Sequence, residues 1–528
     1  MNRLSITAGL GALLAMATPA AAQLNHGHAT DDVGKVTFAN SCAPEVQEDL
    51  MRGVAMLHSF WYTAGEEAFR SVLARDPGCG IADWGIASLL MNNPLAGIGT
   101  LPADLARAQQ AVADGRRIGA RTQRERDYIE AAGTYYDNWT ATTESARQLT
   151  RSKAYEALAA KYPDDDEAQI FNALYIAGTQ SQGDQSFAAY GRAVAILENQ
   201  LTKYPDHPGI THYLIHSFDA PPIAVQGLPA ARRYASLAPD SPHALHMPSH
   251  IFTRVGAWED SATTNQRSAD VAMKSGDYSD AYHASDYQVY AYLQIGRDAA
   301  ARAVMDRVTK VHANPPTQAY FYAAAAMPAR LAIERGDWQG AARLEPAAVG
   351  LPFTQAQALY ARGIGAARGG DVAGAEQAAA ALGERQKALV GNAYWAREVE
   401  IQQRVVNALA TIAAKRTDEG LEMLRAAADL EDRSEKHIVT PGRIVPAREL
   451  LGDMLLEAGQ PAAALKEYEA SQKREPNRFR GYWGTGRAAE ATGDAIKARE
   501  QFGKLVAMTQ QSDTPRPELQ QARAFLAR

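Results

Sequence analysis

The stretch LGDMLLEAGQPAAALKEYEASQKREP, residues 451–476, decides the fold because its pattern returns 34 residues further along the chain. The residues that recur are small or aromatic: Gly452, Gly459, Ala464 and Tyr468 return as Gly486, Gly493, Ala498 and Phe502. Gly and Ala let two helices approach closely, an aromatic ring fills the space between units, and Pro476 stops the second helix. A helix pair in each unit predicts an all-α chain of stacked pairs.

Weaker copies of this pattern extend through the chain. Gly336-Asp337 and Gly340-Ala341 return as Gly370-Asp371 and Gly374-Ala375, again 34 residues later. That spacing is the period of tetratricopeptide repeats. Alanine is abundant, whereas Val and Ile are sparse, and this composition favours helix over strand. We therefore predict an α-solenoid of tetratricopeptide-like helix pairs wrapped round a central groove.

The first 22 residues have the layout of a cleavable signal peptide. Arg3 precedes a short apolar stretch, Leu4–Met16, and Ala20-Ala21-Ala22 supplies a cleavage site. The apolar stretch is too short to span a bilayer, although a retained anchor helix is the alternative. We expect cleavage after Ala22 and a periplasmic or secreted protein.

The remaining chain divides into three parts by periodicity. Residues 23–40 lack it and are predicted to form a loose tail, whose His26 and His28 could catch metal. Helical pairs follow over 41–311, an N-terminal solenoid that contains the clustered histidines. Ala-Asn-Pro-Pro at 313–316 interrupts the helices, so 312–528 are predicted to form a C-terminal solenoid.

Charge and cysteine content narrow the class of protein. The net charge is −6, and the Lys and Arg residues are scattered, so we expect no nucleic-acid partner. No other membrane-length apolar run occurs, so no membrane association is expected. Cys42 and Cys79 are a candidate disulfide in an oxidising compartment, and two buried thiols are the alternative.

A histidine phrase is repeated one structural unit apart. Seven of the 12 histidines fall between residues 207 and 283. DHPGITHYLIH (206–216) aligns with DSPHALHMPSH (240–250), so that His212 and His216 match His246 and His250 at an offset of 34. Each phrase should open a helix, capped by Asp206 or Asp240 with a proline in the first turn. Pro248 lies inside the second expected helix, where it should remove a hydrogen bond and bend the backbone.

Equivalent positions on neighbouring repeats lie side by side, so four imidazoles should converge in the groove. A third helix, from about Tyr278, offers His283 as a fifth ligand. The second-tier candidates are His243, Asp219 and Asp286, and either carboxylate could orient an imidazole. Neutral imidazole is the commonest metal ligand, and the i, i+4 spacing lets two histidines hold one ion. We predict a transition metal ion, zinc, copper or iron. A hydrogen-bonded or pH-sensing cluster is the alternative.

Four stretches resemble a widespread family of bacterial exported tetratricopeptide-repeat proteins. They are LHSFWY (57–62) with DPGCGIADWGIA (76–87), HPGITHYLIHSFDAP (207–221), SPHALHMPSHIF (241–252), and EKHIVTPGRIVPARELLGDMLLEAGQPAAALKEYE (435–469). The resemblance implies a solenoid around a central groove and suggests that His58 and His437 point into it. Ordinary packing or hydrogen-bonding roles are the alternative for both. It implies no reaction and no ligand.

The functional hypothesis is an exported solenoid with a metal site in its groove, where Tyr213, Tyr287 and Trp258 would line a pocket for a small organic molecule. An enzyme would use an open coordination position to activate water or dioxygen. The alternative is a non-catalytic scaffold that binds a peptide or protein in the concave groove. The chain has no GxSxG, HExxH or P-loop motif, so those hydrolase and nucleotide-binding classes lack support.

Overall fold

The computed structural model describes residues 32–528, and these residues form helices and connecting turns without a strand. The predicted signal peptide, together with His26 and His28, lies outside the described residues. Within 32–528, none of the helices combines the length and apolar character that a bilayer crossing requires. The all-α prediction is confirmed.

The helices follow one another with short connections. Those before the histidine phrases are α1 (Gln47–His58), α2 (Tyr62–Arg75), α3 (Gly80–Leu90), α4 (Leu105–Ile118), α5 (Gln123–Tyr136), α6 (Glu144–Lys161), α7 (Asp166–Ala177) and α8 (Ala188–Lys203). The central helices are α9 (Pro208–Phe218), α10 (Leu228–Leu237), α11 (Pro242–His246), α12 (Pro248–Val255), α13 (Trp258–Ser275), α14 (Tyr278–Gln294) and α15 (Asp298–Val308).

The C-terminal helices continue the same pattern. They are α16 (Gln318–Glu334), α17 (Trp338–Ala342), α18 (Pro352–Arg368), α19 (Val372–Lys387), α20 (Ala393–Ala413), α21 (Thr417–Glu431), α22 (Ala447–Glu457), α23 (Pro461–Arg474), α24 (Phe479–Thr492), α25 (Ala495–Met508) and α26 (Pro517–Leu526). Short 3-10 turns occur at Pro44–Val46, Trp139–Ala141 and Ala224–Gly227.

The repeat residues pack as the sequence predicts. A Cβ placed on Gly452 of α22 would lie 2.7 Å from the Tyr468 ring of α23, so only glycine lets these helices approach so closely. Gly459 ends α22 with a φ of +72°, in the left-handed region. Helix α23 ends just before Pro476. Consecutive helices pack against each other in this way along the chain, which confirms the α-solenoid.

Residues 32–40 differ from the predicted loose tail. They have no helix, but Val33 and Phe38 are buried, and the Phe38 ring stacks on Trp84 at 5.0 Å between centroids. A disulfide bond between Cys42 and Cys79 fastens the chain just after this segment to the start of α3. The prediction is wrong for these residues because an extended strap that packs through two apolar side chains leaves no periodic signal.

The two predicted solenoids contact each other extensively, and residues 32–528 form one compact unit. The predicted boundary, between residues 311 and 312, lies within the loop at 309–317 that connects α15 to α16. Residues 432–446, between α21 and α22, cross to the N-terminal helices. There the Glu435 backbone N–H donates to the Gln182 carbonyl at 2.9 Å, and His437 Nε2 lies 3.1 Å from the Ala96 carbonyl.

Candidate metal centre

The two histidine phrases open helices α9 and α11. The α9 cap is His207 and the α11 cap is Ser241; each side chain accepts a first-turn backbone N–H, and a proline follows it. The prediction of caps at Asp206 and Asp240 is wrong by one residue, because a proline at the first helical position places the cap directly before it.

Pro248 divides the second phrase between two short helices, whereas the sequence predicts a bend within one helix. Helix α11 ends at His246, and α12 begins at Pro248, which has no N–H to donate to the preceding turn. Met247 between them keeps helical angles of φ −52° and ψ −38°. The two short helices therefore continue in nearly the same direction, and His246 and His250 stay on one side.

The first group of histidines combines α9 with α11. His212 and His216 lie one turn apart on α9, and their Nε2 atoms are 3.1 Å apart. His243, from the first turn of α11, joins them, and the three candidate ligand atoms lie within 4.8 Å of one another. His212 and His216 are buried, whereas His243 is partly exposed. We call this group the first triad.

The second group has the same construction one repeat later. His246 and His250 have their Nε2 atoms 3.1 Å apart. His283 of α14 completes the group, again with the candidate ligand atoms within 4.8 Å of one another. The His283 ring lies 4.3 Å from that of His246, between centroids. We call this group the second triad; each triad thus takes two histidines from one phrase and a third from the next histidine-bearing helix.

The two triads adjoin. The His216 and His250 rings are 5.6 Å apart between centroids, and those of His243 and His246 are 6.1 Å apart. The structure therefore differs from the predicted single set of four imidazoles around one ion. His243 and His283 have equivalent places. His243 extends from α11 toward the His212/His216 pair, as His283 extends from α14 toward the His246/His250 pair.

The hydrogen bonds of the second triad leave two ring nitrogens without a proton. His246 Nδ1 lies 2.7 Å from Asn265 Oδ1, and the Asn265 amide nitrogen donates to the Ser261 carbonyl, which fixes Oδ1 as an acceptor. His250 Nδ1 donates to Asp219 at 2.8 Å. Each neutral ring therefore carries its proton on Nδ1, and the two Nε2 lone pairs face each other at 3.1 Å. Two lone pairs at this distance repel unless a cation lies between them.

The spacing of these nitrogens suits a metal ion. Two nitrogens at 2.0–2.1 Å from one ion in tetrahedral geometry would lie roughly 3.4 Å apart, close to the observed 3.1 Å. In the first triad, His212 Nδ1 donates to the His58 carbonyl at 2.6 Å, so its Nε2 also presents a lone pair. His243 Nε2 and His283 Nδ1 are buried without a hydrogen-bond partner.

Burial keeps these imidazoles neutral. Removal from water lowers the pKa of His250, although Asp219 opposes the effect. For the other five, burial followed by the neighbouring imidazoles lowers the pKa well below the usual value: His212, His216, His243, His246 and His283. Neutral imidazole is the form that binds metal.

The Asp219 carboxylate accepts the hydrogen bond from His250 Nδ1. It also accepts from Arg254 at 2.7 Å and pairs with Lys436 at 3.2 Å. These cations hold the pKa of the Asp219 carboxyl well below its usual range, against the opposing effect of burial. Lys436 belongs to the 432–446 segment, which therefore packs beside the second triad. Tyr287 does so too: its ring lies 4.6 Å from that of His246, between centroids, and its hydroxyl donates to the segment's backbone.

Two predicted site residues lie elsewhere. Asp286 forms a buried ion pair with Arg330 of α16 at 2.9 Å. Trp258 donates to the Asn477 carbonyl and packs on Tyr290, so it does not line the histidine cluster. His437 lies against Tyr394 and Trp395, and burial lowers its pKa to about 4.

A further group of buried polar residues lies behind the first triad. Glu167 accepts hydrogen bonds from His58 Nε2 at 2.9 Å and from His207 Nε2 at 3.0 Å. His207 Nδ1 accepts the Ile210 backbone N–H, and His58 Nδ1 lies 2.9 Å from the Tyr213 hydroxyl. Every ring nitrogen here has a partner of the complementary kind. Glu167, Asn265 and Lys436 were not predicted, since they lie outside the repeated phrases.

No protein-family model and no curated protein matches the chain. Among solved structures, the chain is similar to the Cut9–Hcn1 hetero-tetramer of the APC/C, at 11% identity over 91% of this chain and 95% of that chain, with a TM-score of 0.30. It is similar to the human IFIT1 dimer with m7Gppp-AAAA, at 11% identity over 82% and 90%, with a TM-score of 0.37. It is also similar to yeast Tom70, at 10% identity over 92% and 95%, with a TM-score of 0.30.

Proposed function

We propose that the protein binds transition metal ions through its six clustered histidines, with one ion in each triad. The observation that carries this proposal is the pair of unprotonated Nε2 atoms of His246 and His250, held face to face by acceptors on their far sides. A buried protein site that separates two lone pairs by 3.1 Å is stabilised when a cation joins them.

Three imidazoles leave a fourth tetrahedral position open, which is the arrangement of catalytic rather than structural metal sites. His243 is the partly exposed member of the six, so we place the access of a small ligand at the first triad. Water or dioxygen would be small enough to enter such a tightly packed cluster.

The contacts around the second triad argue against the alternative, a scaffold that binds a peptide at this position. The 432–446 segment packs beside the second triad through Lys436 and through the Ile438 and Thr440 carbonyls, which accept from the Tyr287 hydroxyl. A peptide directed to this face would have to displace the protein's own chain.

Metal analysis of purified protein tests the proposal. After loading and removal of free metal, wild type should retain one ion per triad, two per chain. His243→Ala and His283→Ala should each lose one ion, and one ring nitrogen of each side chain, His243 Nε2 and His283 Nδ1, has no hydrogen-bond partner to lose. His312→Ala, at an exposed histidine, is the matched control. Metal-free wild type, or variants with unchanged metal content, would contradict the proposal.

We also propose that the protein is exported. The signal-like layout of residues 1–22 and the disulfide between Cys42 and Cys79 support this, because disulfides persist in oxidising compartments. N-terminal sequencing of the protein from a periplasmic fraction should start at Gln23. Recovery of the protein with Met1 in the cytoplasmic fraction would contradict export.

A further inference from the structure

We propose that the ions of this centre are monovalent copper, one Cu(I) in each triad. This inference rests on the metal centre proposed above and identifies the metal that it takes. Three features of the cluster carry it: the chemistry of the ligand atoms, the charge that they fail to supply, and the cations already placed beside them.

The candidate ligand atoms are all imidazole nitrogens. Neither triad includes a carboxylate oxygen or a thiolate. Such a set excludes Mg²⁺, Ca²⁺ and Mn²⁺, which prefer oxygen, and leaves zinc, copper, iron and nickel. A choice among these must come from charge and coordination number.

Six neutral ligands offer no negative charge to a bound ion. Two divalent ions would add a charge of +4 to the cluster, and two monovalent ions would add +2. The imidazoles of His212, His216, His246 and His250 are no more than 2% exposed, so the ions would be largely removed from water. Because the cost of burying an ion rises with the square of its charge, a divalent ion costs far more than a monovalent one.

The nearby carboxylates are already neutralised. Among the described residues, Asp219 supplies the carboxylate that hydrogen-bonds an imidazole of the cluster, and it is paired with both Arg254 and Lys436. Asp286, on the same helix as His283, is paired with Arg330. Within residues 32–528, no carboxylate in contact with the triads is therefore free to offset the charge of a divalent ion.

Lys436 adds positive charge beside the second triad. Its ammonium group is buried and shares one carboxylate oxygen, Asp219 Oδ2, with His250. A fixed cation repels a divalent ion twice as strongly as a monovalent one at the same position. Cu(I) fits these features because it is monovalent and binds nitrogen ligands. It also forms stable complexes with three ligands, which is the number that each triad offers.

Titration of metal-free protein with closed-shell d10 ions isolates the effect of charge. Cu(I) is added without oxygen and in competition with the chelator bicinchoninate, Ag(I) is added in nitrate buffer as an air-stable monovalent ion, and Zn(II) is the divalent comparison. We expect two equivalents of Cu(I) and of Ag(I), and Zn(II) bound at least tenfold more weakly than Cu(I). Two equivalents of Zn(II) bound more tightly than Cu(I) would overturn the inference but leave the metal centre standing. Retention of no metal at all would overturn both.

Neutralising the buried lysine gives a second test. Lys436→Met should strengthen Zn(II) binding, and the gain in the logarithm of the affinity should be about twice that for Ag(I). Lys387→Met, at a side chain that is 74% exposed, is the matched control and should change neither affinity. Equal gains for the two ions, or none, would contradict the proposed role of charge.

Discussion

Two groups of buried histidines in this protein differ in where their protons are. In the His58–Glu167–His207 group, one N–H of each ring donates a hydrogen bond to the Glu167 carboxylate. The other ring nitrogen is hydrogen-bonded to a hydroxyl or to a backbone N–H. In the second triad, the donors His246 and His250 point away from each other and leave two lone pairs in contact.

Both groups bring three candidate ligand atoms within 4.8 Å of one another, so proximity does not separate them. The proton positions do. His207 accepts the Ile210 N–H at Nδ1, and its proton therefore lies on Nε2, the atom that a metal would need. The comparison favours a structural hydrogen-bond network for the His58–Glu167–His207 group, and it supports the metal site proposed for the second triad.

The largest expected effect distinguishes the two groups by metal content. The double variant His246→Ala/His250→Ala should lose the ion of the second triad completely, because two of its three ligands are gone. His58→Ala/His207→Ala should keep both ions, since the His58 carbonyl that orients His212 is retained. Elemental analysis of the two proteins checks this. Equal metal loss in both would show that the comparison is wrong.

Folding stability should depend on the His58–Glu167–His207 group, although metal content should not. Glu167→Gln leaves a single acceptor oxygen for two imidazole donors and turns an amide N–H toward one of them, so we expect unfolding free energy to fall by about 3 kcal/mol. Urea denaturation of metal-free protein measures the change. Glu130→Gln, at an exposed carboxylate, should leave stability within about 0.5 kcal/mol of wild type. Unchanged stability in Glu167→Gln would argue against a structural role.

Removing the residue that accepts a hydrogen bond from a ligand histidine should weaken metal binding without abolishing it. Asn265→Ala takes the partner from His246 Nδ1, and the ring is then free to turn or to place its proton on Nε2. We expect metal affinity at the second triad to fall by about 10–100-fold with stoichiometry retained. Competition with a chelator gives the affinity. Gln266→Ala, one position along α13, provides the comparison and should have no such effect.

The smallest effect is a dependence on pH. The imidazoles of His207 and His58 overcome the effect of burial and hold the pKa of Glu167 below its usual value, so the folded state binds its proton less tightly than the unfolded state does. The stability lost in Glu167→Gln should therefore be constant above about pH 5.5 and shrink by roughly 0.6 kcal/mol at pH 4, as the unfolded glutamate protonates near 4.3. Denaturation of both proteins across this range tests the sign. A gap that widens toward acid would contradict it.

Much of this site could be predicted from sequence because repeats fix equivalent positions. The copied phrase predicts the pairs His212/His216 and His246/His250, and the start of α14 at Tyr278 places His283 beside them. The division into two triads could not be predicted, since it depends on the direction in which His243 extends from α11.

Residues outside the phrases show why the rest was missed. Asn265 lies on α13 without any periodic signal, although it determines the tautomer of His246. Asp286 follows His283 by less than one helical turn, but the sequence does not show that its carboxylate is paired with Arg330 of α16. The burial of Phe38 depends on contact with Trp84, which no local pattern reports.

Anomalous diffraction from crystals of the metal-loaded protein, recorded on both sides of the metal's absorption edge, tests the central claim most directly. An ion between the Nε2 atoms of His246 and His250 should appear as a peak about 2.0–2.1 Å from each. A map with no peak at this position, in protein shown to contain metal, would mean that the ion is held elsewhere and that the facing nitrogens are not its ligands.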